Sequence, residues 1–299
     1  MGSVALDTVE TVSARRDELL GGAASYASLA ASFLAPVRLT GVVGADFPEG
    51  HVDFLRGHHV DLAGLERAEG RTFRWTGRYS SDFNNRTTLD TQLNVFESFR
   101  PRLPREWLDT PFVFLANIDP ELQIDVLDQV SHPRFVACDT MNFWIEGKRE
   151  ALHRLLARVD LLMINDEEAR LLSGLSNLPA AARAIRNLGP RALVVKRGDA
   201  GALLFHEGGV FAAPAYPIET VVDPTGAGDS FAGGFMGWLA RTGATTPADI
   251  RTAMILGSVL ASYSVEDFSL DRFRTLDLTG IRERFSAFVD LVHFEKIRL

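Results

Sequence analysis

The chain reads as an α/β protein: one three-layer α/β/α domain around a mainly parallel central sheet, with a small β flap, or lid. Three features point there. Short apolar runs rich in β-branched residues recur along most of the 299 residues, each followed by a helical pattern. Strands that are apolar throughout suit a parallel sheet covered on both faces. One stretch, 71–99, breaks the rhythm by alternating polar with apolar residues, and after Gly226 the chain turns mainly helical. No internal repeat, low-complexity tract or Pro/Ser-rich linker divides the sequence, so residues 1–299 are expected to form a single domain.

The elements follow in order. The opening "MGSVALD" holds the exit of a strand whose apolar first half is missing, which suggests a truncated or misassigned start. "SARRDELLGGAASYASLAASFLAP" loosely resembles an export signal, but Asp17 and Glu18 follow the arginines where such a signal turns apolar. No run reaches the roughly 18 apolar residues of a membrane span. Residues 22–34 are instead expected as a helix packed on the body. A strand at 38–43 precedes a helix at 48–57, which ends at His58-His59. The stretch 71–99, with the turn-prone "SSDFNN" in its middle, predicts antiparallel strands with one wet face, the flap. Strands at 112–116, 134–138, 160–164 and 192–196 then alternate with helices at 121–130, 146–158, 167–173 and 179–188. "ALLFHEGGVFA" is a hairpin around Glu207-Gly208-Gly209.

Composition excludes some partners. A formal charge of -8 argues against nucleic acid and against an anionic membrane, since both call for clustered Lys and Arg. The single cysteine, Cys138, cannot form an internal disulfide, which fits a reducing cytoplasm. At the end of "RFVACD" it is expected as an inert core thiol.

The chemistry gathers in "VVDPTGAGDSFAGGFMGWLA". A glycine-rich turn feeding a helix N-terminus presents bare N–H groups and the positive end of the helix dipole, which is an anion site. Gly226-Ala227-Gly228 lets an anion approach the backbone with little side chain in the way. No Gly-Lys-Ser/Thr follows, so this is not a Walker A loop, and the dinucleotide spacing G-x-G-x-x-G also fails. Asp229 stands at the mouth. A carboxylate there would repel a bound phosphate unless it acted on a neighbouring hydroxyl; with an ordinary pKa of about 4 it would be ionised at neutral pH. The plainer alternative is a common turn with Asp229 as a helix-terminal carboxylate. Asn165-x-x-Glu168, taken alone, likewise reads as a capping box.

"DPTGAGDSFAGGF" closely resembles the C-terminal signature of the ribokinase-like (PfkB) kinases, and the likeness runs through nearly the whole chain. "GSVALDTVET" resembles the family's first strand exit, with Asp7 matching an aspartate that holds substrate hydroxyls. The stretch from Gly21-Gly22 to Gly44 and Asp46 resembles the N-terminal signature. "INDEEA" matches the Asn-x-x-Glu motif, and "VVKRGDAGALLF" resembles the strand and glycine loop beside the nucleotide.

The resemblance implies an ATP-dependent kinase that phosphorylates a hydroxyl of a sugar or sugar derivative, with nucleosides and inositol-type polyols as alternatives. The rival from another class is a non-catalytic ligand-binding protein on the same fold. Asp229 would take the proton of the acceptor hydroxyl, while Gly226, Ala227 and Gly228 supply N–H donors to the transferring group. Asn165, Lys196, Gly198, Gly201, Thr225 and Gly228 would face ATP, and Asn165 and Glu168 would order Mg2+ through water. A monovalent cation such as K+, near "SYSVEDFS", and a homodimer paired through the flaps also follow from the likeness. The helix glycines Gly233, Gly234 and Gly237 would let their helix sit close under the sheet and nucleotide.

On the acceptor side the pattern departs from the family. Tyr26 stands where the signature usually carries a substrate-binding asparagine, and Ala23-Ala24 follow the double glycine. Asn117 and Asp119 after "FVFLA", and Asp139 and Asn142 in "DTMNFWIEG", fall at the C-terminal edge of the sheet, where open α/β folds bind ligands. They join Asp7, Gly21, Gly22 and Tyr26 as candidate substrate residues. Phe73, Trp75, Phe83, Phe143 and Trp144 either stack on a nucleobase or form the apolar back of the flap.

Overall fold

The computed structural model describes residues 1–80, 83 and 86–295, so most of the turn expected in "SSDFNN" lies outside the described residues. From the N-terminus come β1 (Ala5–Glu10), β2 (Arg15–Gly21), α1 (Ala23–Ser32), β3 (Val37–Gly44), α2 (Glu49–Gly57), β4 (Val60–Ala68), β5 (Phe73–Tyr79) and β6 (Arg86–Gln92). Four of these strands form the flap in the order β2-β1-β5-β6, with β1 and β5 parallel and the outer pairs antiparallel. The flap is therefore larger than 71–99, which supplies β5 and β6 only. The segment Arg15–Glu18 of β2 is exposed and charged, a pattern that carries no period-2 apolar signal. The strand β4, "VDLAGLERA", also went unmarked because its spacing of leucines mimics a helix.

The second half supplies β7 (Phe112–Leu115), α3 (Pro120–Gln129), β8 (Phe135–Asp139), α4 (Asn142–Gly147), α5 (Arg149–Leu156), β9 (Leu161–Asn165), α6 (Asp166–Ser173), α7 (Leu178–Arg186) and β10 (Ala192–Lys196). Then come β11 (Ala202–His206), β12 (Gly209–Ala213), α8 (Ala227–Thr242), α9 (Pro247–Ser264) and α10 (Leu278–Val292). The strands β7 to β10 pair in parallel, and the expected hairpin β11–β12 adds an antiparallel edge. Alternate residues face opposite layers. Phe135, Ala137, Leu161, Met163 and Val194 pack with α1, α8 and α9, while Val136, Cys138, Leu162, Ile164 and Val195 pack with α3, α5, α6 and α7. Burial on both faces explains why these strands read as unbroken apolar runs. Cys138 is buried, and desolvation pushes its thiol far above the ordinary range.

Residues 1–4 bridge the sheet between β3 and β7. Gly2 N–H donates to Thr40 O at 3.3 Å, the Met1 amine donates to Phe114 O at 2.9 Å, and Ala116 N–H donates to Met1 O at 2.9 Å. The short first segment thus occupies the central position expected of it.

Two helix expectations need correcting. The helix foreseen at 146–158 is two, α4 and α5, divided at Lys148, where φ is -132°. The α8 glycines serve neighbouring helices rather than the sheet. A Cβ on Gly233 would lie 2.2 Å from Ala27 O and one on Gly237 2.9 Å from Ala31 O, both in α1. One on Gly234 would lie 2.8 Å from Leu256 O in α9. Bare backbone here lets three helices touch. Among the described residues no helix is long and apolar enough to cross a membrane.

Candidate active site

The anion turn stands at the start of α8. Gly226 is its N-cap with φ +72°, a left-handed conformation that favours glycine. The Tyr26 ring lies directly beneath, since a Cβ on Gly226 would sit 2.3 Å from its ring carbons. The N–H of Ala227 donates to Pro224 O at 3.2 Å, so this expected donor is already engaged. Those of Gly226, Gly228 and Asp229 have no acceptor among the described residues, and they converge with the dipole of a 16-residue helix.

The turn is braced from behind. Asp223, fully buried, accepts from Thr225 N–H at 2.8 Å and from Ser269 N–H at 3.0 Å. Val265 O, within the segment expected near a monovalent cation, accepts from Val222 N–H at 2.8 Å. Thr225 Oγ1 donates to Tyr79 Oη at 3.1 Å, which ties β5 of the flap to the anion turn. At the flap's base, Asp46 accepts from Thr72 N–H and Oγ1, both at 2.7 Å, and pairs with Arg74 at 3.0 Å.

A charged cluster occupies the C-terminal ends of β8, β9 and β10. Lys196 Nζ donates to Asp139 Oδ2 at 2.7 Å, while Asp139 Oδ1 accepts from Thr140 N–H at 2.7 Å. The ammonium lies 3.1 Å from where a Gly228 Cβ would be, hard against the anion turn. Asn165 and Glu168 form the reciprocal capping box: Glu168 N–H donates to Asn165 Oδ1 at 2.7 Å, and Asn165 N–H to Glu168 Oε2 at 2.8 Å. Burial, then the neighbouring Asp139, raises both Glu168 and Asp229 to about 7, against the pull of Lys196. Asp229 is thus not the ordinary carboxylate of pKa about 4 that its sequence suggests. Burial disfavours the charge on Lys196, but Asp139, Glu168 and Asp229 together hold its pKa above the usual value. Gly198 and Gly201 shape the β10–β11 turn, with φ of +56° and +81°.

Three carboxylates around one lysine leave an excess of negative charge that a hydrated cation would offset. Glu168 Oε1 stays outside the capping box. No group of three or more His, Cys, Asp or Glu among the described residues could hold a metal directly. The oxygen donors of Asn165 and Glu168 fit Mg2+ that keeps its own water.

A second buried cluster is built around Asp7. A Cβ on Gly21 would lie 1.9 Å from Asp7 Oδ2, so this glycine admits the carboxylate, while Gly22, at φ +88°, lets the chain pass the Ser3 backbone. Burial, then Asp223 and Asp229, raises Asp7 to about 8. Asp7 Oδ1, Tyr26 Oη and Asn117 Oδ1 are all buried with no hydrogen-bond partner among the described residues, which leaves their hydrogen-bonding capacity for a ligand or water. Asn142 is exposed at the start of α4 and joins no cluster. Asp119 is a helix cap, accepting from Glu121 N–H at 2.9 Å and pairing with Lys148 at 3.4 Å.

Sequence reasoning missed Asp223, Tyr79 and Arg86. Arg86 opposes Tyr79 in the β5–β6 register, and its guanidinium carbon lies 5.4 Å from the centre of the Trp75 ring. Its charge acts on Asp7, Glu168 and Asp229 alike, lowering each. The aromatics divide. Phe73 packs on Phe96 at 5.4 Å, and Trp75 and Phe83 pack with Val9, Tyr79 and Phe268, forming the back of the flap. Phe143 and Trp144 stand apart on α4.

Residues 4–273 match the profile of the pfkB family carbohydrate kinases. A cytidine kinase from Thermococcus kodakarensis is 30% identical over 247 residues, spanning 81% of this chain and 87% of its own. The nucleoside kinase of Methanocaldococcus jannaschii, an archaeal member of the ribokinase family, superposes with a TM-score of 0.77 at 21% identity over 96% of each chain. Aminoimidazole riboside kinase from Salmonella enterica, complexed with aminoimidazole riboside and an ATP analogue, gives a TM-score of 0.73 at 21% identity, covering 95% of this chain and 98% of that one. The three-layer fold with its flap is that of the ribokinase-like proteins.

Proposed function

The chain belongs to the pfkB family of carbohydrate kinases, ATP-dependent phosphotransferases with a hydroxyl acceptor, and from that premise we propose that its acceptor is a nucleoside. The observation that carries this reading is the likeness to a cytidine kinase across 81% of the chain. It moves the nucleoside ahead of the free sugar that the signatures alone favoured.

In this reading Asp7, with the orphaned oxygens of Tyr26 and Asn117, binds the sugar hydroxyls of the acceptor. Asp229 accepts the proton of the attacking hydroxyl and aims its oxygen. The N–H groups of Gly226 and Gly228, and the ammonium of Lys196, meet the charge on the transferring phosphoryl group. Asn165 and Glu168 would hold Mg2+ through its own water, and the ion would supply positive charge at the phosphates. The bond between Tyr79 and Thr225 holds the flap against the reacting groups, excluding water that would otherwise hydrolyse ATP. The edge strands β2 and β6 of the flap offer a surface on which a second copy would pair as a homodimer.

The test is ADP release with saturating ATP across nucleosides, pentoses, hexoses and inositols. A nucleoside should give the highest kcat/KM, by at least about tenfold over its free pentose, the discrimination that one well-filled pocket supplies. A free sugar or inositol as the best acceptor would overturn the assignment. ATP binding with no turnover on any acceptor would favour the non-catalytic rival.

A further inference from the structure

We propose that Gln123 of α3 is a positioning residue for phosphoryl transfer: its side-chain amide ties the loop that carries Asn117 to the strand end that carries Asp139. The inference rests on the reading above, in which Asn117 meets the acceptor and Asp139, through Lys196, serves the phosphate side.

Gln123 is fully buried. Its Nε2 donates to Leu115 O at 2.9 Å, to Ala116 O at 3.0 Å and to Asp139 O at 3.1 Å. Three carbonyl oxygens around one end of an amide fix that end as the NH2, since an amide oxygen there would face only acceptors. The first two carbonyls stand where β7 ends, and Asn117 follows them directly; the third ends β8. The ladder between these strands runs no further than Leu115 and Cys138, so the amide takes over where pairing stops. Its own position is fixed by the helix it starts. Gln123 N–H donates to Asp119 O at 3.1 Å, and Asp119 is the N-cap of α3.

Each strand end leads to a different half of the site. Asn117 Oδ1 is buried with no partner among the described residues. Asp139 accepts from Lys196 Nζ at 2.7 Å, and that ammonium lies against Gly228 of the anion turn. The spacing of acceptor and transferring phosphoryl group therefore depends on how the two strand ends are held together. In-line transfer is sensitive to that spacing, since a misplacement of about 1 Å can cost about 100-fold in rate. Gln123 Oε1, at the other end of the amide, is buried with no partner among the described residues, which is destabilising. Filling the space alone would call for an apolar side chain; what the amide adds is the link.

The experiment measures kcat, acceptor KM and ATP KM for wild type, Gln123→Met and Gln123→Glu with cytidine and inosine, well below each melting temperature. Methionine fills a similar space and cannot donate. Gln123→Met should lower kcat about 10- to 100-fold and leave both KM values within about threefold, because each half of the site survives and only their spacing is lost. Gln123→Glu, kept protonated by burial, can still donate one of the bonds and should fall between Gln123→Met and wild type. A side chain that only packs would lower the melting temperature and leave kcat alone. A Gln123→Met kcat within about twofold of wild type would therefore overturn the inference. Gln123→Glu no faster than Gln123→Met would overturn it too. If Gln123→Met does not fold, Gln123→Glu alone decides, and wild-type kcat in that variant overturns the inference. Wild type that turns over no nucleoside would overturn the nucleoside reading itself, a result seen before any substitution is made.

Discussion

Lys196 and Asp139 meet across 2.7 Å from strands β10 and β8, with β9 between them, and the bond sets the ammonium beside Gly228. Sheet, cation and anion turn are thereby fixed as one unit. Both side chains are mostly buried, at 18% and 6% exposure. Breaking such a pair from one side leaves an unpaired charge in a dry place.

Lys196→Met is therefore expected to raise the ATP KM by about tenfold or more and to lower stability by about 2–4 kcal/mol at pH 8. The stability loss should shrink toward pH 5. Burial raises the Asp139 pKa and Lys196 opposes it, so without the lysine the carboxyl takes up a proton as pH falls and the unpaired charge disappears. Adding Asp139→Asn should restore the melting temperature and leave ATP binding poor. Thermal melts at the two pH values and ATP titration check both halves. A single variant with normal ATP KM would remove Lys196 from the phosphate site.

Arg86 gives a second prediction. It reaches the site from β6 over Trp75, and Tyr79, its partner in register, is bonded to Thr225. Its charge favours the ionised forms of Asp7, Glu168 and Asp229. Arg86→Ala should lower kcat about 10- to 100-fold with little change in melting temperature, since the side chain is exposed. It should also move the acid limb of the pH–rate profile upward, as Asp229 loses a stabilising cation. An unshifted profile would leave Arg86 as flap surface.

Much of this site was legible because its chemistry is carried by backbone-special residues. Gly226 must be glycine for its left-handed φ and for the Tyr26 ring beneath it, and Gly21 must be glycine for the Asp7 carboxylate. Such constraints leave letters in the sequence. The parallel strands were legible for a related reason, being apolar on both faces. What could not be read was long-range placement. Nothing local in "TGRYSSDFNNRTT" says that Tyr79 will bond Thr225, 146 residues away, or that Arg86 will act on Asp229. The flap's first half stayed hidden because β2 is charged and wet over four residues. Gly233 was noticed but misassigned: a bare helix position reports a close approach without naming the neighbour, and here the neighbour is α1.

Asp7 carries a trade between stability and function. Its carboxyl is buried, Oδ1 has no partner, and its pKa is raised to about 8 by burial and by Asp223 and Asp229. A carboxyl whose folded pKa exceeds its unfolded value binds more protons folded than unfolded, so its ionisation destabilises the fold progressively as pH rises from about 4 toward 8. Asp7→Asn removes that charge. The variant should melt about 3 °C or more above wild type at pH 8, with the gap closing at pH 5, while acceptor kcat/KM falls at least about 100-fold. Equal melting temperatures at both pH values would show that Asp7 is ionised at little cost.

Asp229 makes the sharpest demand. Held at about 7 by burial and Asp139, against Lys196 and Arg86, it sits where a general base works best near neutral pH. The active form is the ionised one. Activity at subsaturating acceptor should therefore be full above about pH 8 and fall as pH drops through about 7, the direction expected for a base that must be free of its proton. Glu168 titrates in the same range, so the profile reports the coupled cluster rather than one carboxyl. Asp139→Asn, by removing the neighbouring negative charge, should move the limb to lower pH, the opposite of Arg86→Ala. Asp229→Asn keeps the shape and removes the charge. It should lower kcat about 100- to 10,000-fold and leave ATP affinity unchanged or slightly tighter, because a negative charge beside the phosphates has gone. The folded variant should be at least as stable as wild type above pH 7, since a buried carboxylate no longer has to ionise. Retention of more than about a tenth of wild-type kcat, well outside the range for loss of a general base, would return Asp229 to a helix-terminal role and leave the proton to another acceptor.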